Sequence, residues 1–333
     1  MKVERIAVVG AGGWGTALSL IWAGRGHSVL LWGNDESRVE QIKTARENRL
    51  YLPGVTLPES IGLTSELKKC GDADLIVFVT PSTALREVAG RLRPLVSNAN
   101  AVLLSCVKGI EHGTGKRMSE ILSEIYPEHR VAVLSGPNLA IEVARGLPTA
   151  TVLACTVPQC AADLQDCLGT PRFRIYTNEE LTGIELGGAL KNIFAIAAGA
   201  GDGLGLGDNS KAALVTRSLA EMIRLGTKMG ADVRTFYGLS GAGDLVATCF
   251  SKHSRNRRVG EELGRGRKLP DIIKAMQTTA EGVPTAKSAF ECARKLSVDT
   301  PVIDEVYALV HQGKPAVQAM EDLLARDQKA ERG

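Results

Sequence analysis

Hydrophobic positions in the first half of the chain come in short unbroken runs, whereas in the second half they recur at helical spacing. The first run, Ile6 to Val9, is apolar and largely β-branched and reads as a buried strand. It passes through Gly10-Ala-Gly12-Gly13-Trp14-Gly15 into an apolar stretch that reads as a helix as far as Gly24. After Gly24-Arg25-Gly26-His27, the run Ser28 to Trp32 reads as a second strand, which completes a βαβ unit of about 30 residues. Further strand-like runs fall at Leu75–Val79, Ala101–Ser105, Val131–Ser135 and Thr149–Ala154, with a last one near Arg172–Thr177. Amphipathic stretches such as Thr83–Leu92 and Arg117–Ile125 lie between several of them. The alternation predicts an α/β fold with a Rossmann-like, doubly wound, mostly parallel sheet.

From Glu179 onward strands stop. The pattern predicts helices over Leu181–Ala200, Asn209–Met229, Leu269–Met276, Thr285–Lys295, Val302–Val310 and Ala316–Leu324. The chain of 333 residues therefore divides into residues 1–180 and an all-helical domain, 181–333. Gly199 to Gly207, with glycine at every second position, reads as a mobile loop beside the site or a plain connector, and the charged tail Ala325–Gly333 as frayed.

The glycine spacing gives residues 1–180 a function. Gly10 permits a tight turn, Gly12 lets backbone approach a ligand, and Gly15 lets the helix sit close on the strand, the arrangement that holds a dinucleotide pyrophosphate at a helix N-terminus. The charge-free span Ile6–Gly24 also resembles a membrane anchor, but four glycines costing about 1 kcal/mol each relative to alanine argue against a continuous helix there. No other span reads as long enough to cross a bilayer. Net charge is +3 with no long run of one sign, which points to neither nucleic acid nor an anionic membrane as partner. The seven cysteines are scattered and never spaced as CxxC, so free thiols in a reducing cytoplasm are expected, and the five histidines show no metal-ligand spacing, so no metal is expected.

Candidate chemistry clusters at strand ends and in the helical half. Pro81 and Lys108 follow two strands on the ligand side, and Ser135-Gly136-Pro137-Asn138 follows a third, either opening a helical segment through Ala140 whose free N–H groups suit an anion or supplying an Asn cap. In the segment from Leu181, Lys191 shares its helical face with Gly187, Gly188, Ala195 and Ala198. A lysine among small residues is expensive unless paired or used as an acid or base. Glycines around Asp244 suggest a tight loop that presents a carboxylate to Lys191, and Ser254-Arg255-Asn256 offers a hydroxyl, a guanidinium and an amide suited to a phosphate ester.

These motifs, taken in order with Ala280-Glu281-Gly282-Val283, resemble the bacterial-type NAD(P)-dependent sn-glycerol-3-phosphate dehydrogenases over nearly the whole chain. The resemblance implies an oxidoreductase that transfers hydride reversibly between NAD(P)H and dihydroxyacetone phosphate, giving sn-glycerol 3-phosphate for phospholipid synthesis in the cytoplasm. It implies Lys191 as catalytic, with Asp244 positioning it, and substrate contacts at Lys108, Gly136, Asn138, Asp244, Ser254, Arg255 and Asn256. Cofactor contacts fall on Gly13, Trp14, Lys108, Ala140, Arg255 and Glu281, beside Gly10, Gly12, Gly15 and the second-strand tip at Asn34. Two positions depart from the family: Asn138-Leu139 stands where Ser or Thr and an aromatic are usual, and Asn34-Asp35 where Arg or His is common. NADH against NADPH preference and a homodimer are left open. A hydroxyacid or 6-phosphogluconate-type dehydrogenase shares the same plan, and a nicotinamide-binding sensor would share the cradle but needs no lysine acid.

Overall fold

The structure is a computed structural model that describes residues 3–276, 278–328 and 330. One sheet holds eight strands: β1 (Arg5–Val9), β2 (Ser28–Trp32), β3 (Ile61–Thr64), β4 (Leu75–Phe78), β5 (Val102–Ser105), β6 (Arg130–Ser135), β7 (Thr149–Cys155) and β8 (Phe173–Asn178). Their order across the sheet is β3-β2-β1-β4-β5-β6-β7-β8, and all neighbours are parallel except β6 and β7. Between them run α1 (Gly13–Gly24), α2 (Glu36–Ala45), α3 (Leu85–Leu92), α4 (Met118–Ile125), α5 (Ala140–Ala144) and α6 (Pro158–Leu168). Because successive strand side chains point to opposite faces, Ile6 and Val8 join the apolar layer under α1 and α6, while Ala7 and Val9 join the layer under α3 and α4. The strand order reverses at β1, so the loops after β1 and β4 part there and leave a crevice.

The edge strand β3 escapes the sequence pattern. It has four residues, one of them Gly62, and among the described residues it pairs only with β2. A run so short carries too little alternation to stand out from the turn-rich segment before it.

The helical half contains α7 (Leu181–Gly203), α8 (Asp208–Lys228), α9 (Asp244–Phe250), α10 (Arg255–Gly264), α11 (Leu269–Met276), α12 (Gly282–Lys295), α13 (Pro301–His311) and α14 (Ala316–Leu324). The central α7 buries Leu186, Leu190, Ile193 and Phe194 completely and is packed by α8, α9, α10, α12 and α13. Contrary to the sequence expectation, α7 is also long and apolar enough to cross a membrane, but 83% of its apolar window is buried inside this domain.

The run Gly199–Gly207 is not a loop throughout. Gly199, Gly201 and Gly203 belong to α7, and a Cβ on Gly199 would fall 1.9 Å from the Arg257 carbonyl oxygen of α10. From the other side, a Cβ on Gly260 would fall 1.9 Å from the Ile196 carbonyl oxygen. Gly199, Gly203 and Gly260 thus serve a close crossing of two helices, and spacing alone does not separate that use from a flexible connector. In the tail, Arg326 donates to both carboxylate oxygens of Asp299 (3.2 and 2.9 Å), so the frayed reading fails at its start; Lys329 and residues 331–333 of that expectation lie outside the described residues.

Candidate active site

A cavity of about 970 Å³ opens between the ends of β1, β2, β4 and β5 and the helical half. Gly10, Gly12, Gly13, Trp14, Asn34, Lys108, Asn138, Ala140, Lys191, Ser254, Arg255, Asn256 and Glu281 all line it. Gly15, Gly136 and Asp244 do not reach its wall and act from behind it.

The glycine turn divides into positions the fold itself requires and one it does not. Gly10 has φ +133°, and a Cβ there would sit 2.7 Å from the Val79 carbonyl oxygen; a Cβ on Gly15 would sit 2.0 Å from the Gly10 carbonyl oxygen. A Cβ on Gly12, by contrast, would meet nothing within 4 Å. Thr80 and Asn138, also on the wall, each carry a buried side-chain oxygen without a hydrogen-bond partner among the described residues. Open space over Gly12 and helix α1 beginning at Gly13 fit a dinucleotide with its pyrophosphate at the helix N-terminus, and the unpartnered oxygens on the same wall offer acceptors for its hydroxyl and amide N–H groups. Gly10 through Trp14 would hold that group.

At the tip of β2, Asp35 is already engaged. It caps α2 by accepting from the Arg38 N–H at 3.0 Å, and its other oxygen lies 3.8 Å from the Arg38 guanidinium. Arg38 reaches on to the Tyr51 hydroxyl at 3.0 Å, and Arg91 approaches Asn34 Oδ1 at 3.5 Å.

Lys191 projects from the middle of α7 and is 8% exposed. Its Nζ donates to Asp244 Oδ1 at 2.7 Å and to Thr248 Oγ1 at 2.6 Å. Asp244, 1% exposed, takes a second ammonium on its other oxygen, Lys108 Nζ at 2.5 Å, and Lys108 also donates to the Gly136 carbonyl at 3.0 Å. Burial lowers the Lys191 pKa to about 8; Asp244 acts to raise it and Lys108 to lower it further. The small residues beside Lys191 have a visible use. A Cβ on Gly187 would fall 2.6 Å from the Ser240 carbonyl oxygen, and one on Gly188 would fall 2.5 Å from Ser135 Oγ, with the Lys108 stem in ordinary contact at 3.5 Å.

Asp244 does not sit on a tight loop. Leu239–Gly243 forms a π-helical turn that runs straight into α9, whose first residue is Asp244. That helical spacing explains Thr248, which sequence reasoning did not single out: it stands four residues on, one turn above Asp244.

In the phosphate-ester candidate, Ser254 caps α10 by accepting from the Arg257 N–H at 3.1 Å. Asn256 is buried, donating to Asn192 Oδ1 at 2.9 Å and accepting from the Gly282 N–H at 2.9 Å. Arg255 is exposed and its charge acts on Glu281. Asn138 does not cap α5 as one reading allowed; its amide donates to Thr151 Oγ1 at 3.0 Å. Glu185, the acid that shares α7 with Lys191, accepts from Arg117 at 2.5 Å and from the Ser119 N–H at 2.8 Å and does not pair with that lysine.

A Rossmann cradle facing a buried lysine–carboxylate pair across an interdomain cavity defines a two-domain, dinucleotide-linked dehydrogenase. The family models described as the N-terminus and the C-terminus of NAD-dependent glycerol-3-phosphate dehydrogenase match residues 5–161 and 180–321. The chain is 46% identical over 333 residues to glycerol-3-phosphate dehydrogenase [NAD(P)+] of Geobacter sulfurreducens, covering 99% of each chain, and 43% identical to that of Fusobacterium nucleatum, covering 98% of each. The crystal structure of glycerol-3-phosphate dehydrogenase from Coxiella burnetii superposes with a TM-score of 0.94 at 38% identity, over 97% of this chain and 99% of that one. The chain belongs to the NAD-dependent glycerol-3-phosphate dehydrogenase family.

Proposed function

We propose that residues 1–180 bind NAD(P)H and residues 181–333 bind dihydroxyacetone phosphate, whose ketone is reduced reversibly to sn-glycerol 3-phosphate in the cytoplasm for phospholipid synthesis. The observation that carries this reading is Lys191, a buried ammonium on the wall of the same cavity as the glycine cradle and the Arg255 rim. When bound, the nicotinamide supplies the hydride. As the carbonyl carbon accepts it, negative charge gathers on the carbonyl oxygen, and a protonated Lys191 Nζ hydrogen-bonded to that oxygen stabilises the charge and then transfers its proton. A pKa near 8 lets Nζ lose and regain a proton close to neutrality, while Asp244 and Thr248 fix its direction. Lys108, tied to Asp244 and Gly136, adds a second positive charge at the ketone end. Arg255, with Ser254 and Asn256, anchors the remote phosphate, and binding energy spent there orients the ketone. Purified protein should oxidise NADPH or NADH with dihydroxyacetone phosphate and not with 3-oxo acids. The reverse preference would assign the cavity to a hydroxyacid dehydrogenase, and binding without turnover to a sensor.

A further inference from the structure

The loop after β4 and the start of α12 meet across the two halves of the molecule at Ser82 and Glu281. Ser82 is 8% exposed and directly follows Val79, Thr80 and Pro81, which line the cavity. Its main-chain N–H and its Oγ both donate to Oε2 of Glu281, at 3.3 and 2.6 Å. Two donors on one oxygen fix the carboxylate plane as well as its position. Among the described residues the other oxygen, Oε1, has no hydrogen-bond partner, although Glu281 itself lines the cavity. Burial pushes the Glu281 carboxyl above its usual range, and the bonds from Ser82 and the charge of Arg255 work against that push. Ser82 is in turn held by its surroundings. A Cβ on Gly109 would fall 2.3 Å from Ser82 Cβ, so the turn after β5 packs closely on the serine.

We propose that Ser82 is a positioning residue for the nicotinamide cofactor. It ties one oxygen of Glu281 to the loop after β4, so that Oε1 faces the cavity as an acceptor for a hydroxyl or amide N–H of the dinucleotide. The same two bonds hold the cradle side of the cavity against the helical side, so the cofactor meets both walls already in register. The inference rests on the cavity being a nicotinamide-cofactor site, and it concerns binding rather than the proton transfer at Lys191.

The test is equilibrium binding of NADPH and NADH to the full-length protein, followed by nicotinamide fluorescence, which requires no ketone substrate. Ser82→Ala should weaken NADPH by about tenfold, the usual scale for losing hydrogen bonds to a charged group. In turnover, KM for the cofactor should rise by more than kcat falls. Glu281→Gln, which sets an amide against the two Ser82 donors or removes the charge, should weaken binding at least as much. If Ser82 acts through Glu281, the double variant should bind no more weakly than Glu281→Gln alone, whereas independent effects would multiply. Wild-type affinity in Ser82→Ala, or multiplying effects in the double variant, overturns the inference while leaving the dehydrogenase reading intact. Failure of the unmodified protein to bind either nucleotide overturns the reading of the cavity itself.

Discussion

Lys191 and Lys108 are held by opposite oxygens of one carboxylate, at 2.7 and 2.5 Å from Asp244. A single anion between two ammonium groups cannot fully neutralise both, so the arrangement favours the release of one proton. Burial makes Lys191 the group that releases it, at about 8. The sign of the pH dependence follows. If Lys191 is the acid, as proposed, ketone reduction uses its protonated form, so kcat/KM for dihydroxyacetone phosphate should fall as pH rises through about 8, whereas alcohol oxidation uses the neutral amine and should rise through the same value. Asp244→Asn removes the charge that raises the Lys191 pKa and should move both breakpoints down by about 1–3 pH units. Breakpoints that stay in place in Asp244→Asn would assign the titration to another group.

Lys191→Met keeps the length and apolar stem of the side chain and deletes the ammonium. Turnover should fall by about 10²–10⁴, the range for removing a general acid. Lys108 still engages Asp244 at 2.5 Å, so the buried carboxylate is not stranded, and the stability loss should stay below the roughly 3–5 kcal/mol expected for an uncompensated buried charge. Thermal unfolding, NADPH binding and turnover on the one variant check this. Near-normal turnover would move the acid role to Lys108.

Arg255 stands exposed at the cavity rim, so its removal should barely affect folding. Loss of a charge-assisted phosphate contact is worth about 1.5–3 kcal/mol, which predicts at least a tenfold rise in KM for dihydroxyacetone phosphate in Arg255→Ala. An unchanged KM would remove Arg255 from the phosphate site. A parallel loss of cofactor affinity is compatible, because Arg255 and Glu281 act on one another across the same wall.

Cofactor choice turns on Asp35. An acid at the tip of the second strand would bind a ribose 2′-hydroxyl and repel a 2′-phosphate. Here Asp35 is occupied by the Arg38 N–H at 3.0 Å, and both Arg38 and Arg91 line the cavity. Both nucleotides should serve, with a modest preference for NADPH that Arg38→Ala reduces. A preference for NADH above about a hundredfold, some 2.7 kcal/mol in specificity constant, would mean that Asp35 turns to the ribose.

The sequence revealed what is local and strongly patterned. The β1 turn, the strand runs, the Lys191 face and the Arg255 cluster each carry their signal within a dozen residues. What it hid depends on contacts between distant segments. Thr248 joins Lys191 only because α9 is helical from Asp244 onward, and Ser82 meets Glu281 from 199 positions away. The glycines at 199 and 203 looked like flexibility because a glycine that lets a helix approach and a glycine that lets a loop bend are identical in one dimension.

That last distinction is open to measurement by comparing two glycines. At Gly199 an added methyl would overlap the Arg257 carbonyl oxygen at 1.9 Å, and backbone cannot swing aside as a side-chain end can. Gly199→Ala should therefore force α7 and α10 apart, costing about 1–3 kcal/mol in unfolding free energy, with cofactor affinity falling only as far as the cavity is disturbed. At Gly12 the same methyl meets nothing within 4 Å, so Gly12→Ala should fold with a Tm within a few degrees of the parent, about 0.5 kcal/mol or less. Its effect should fall on the dinucleotide, with KM for NADPH rising at least tenfold because the methyl occupies the space where a pyrophosphate must approach the backbone. Normal NADPH affinity in Gly12→Ala would place the pyrophosphate elsewhere in the cavity.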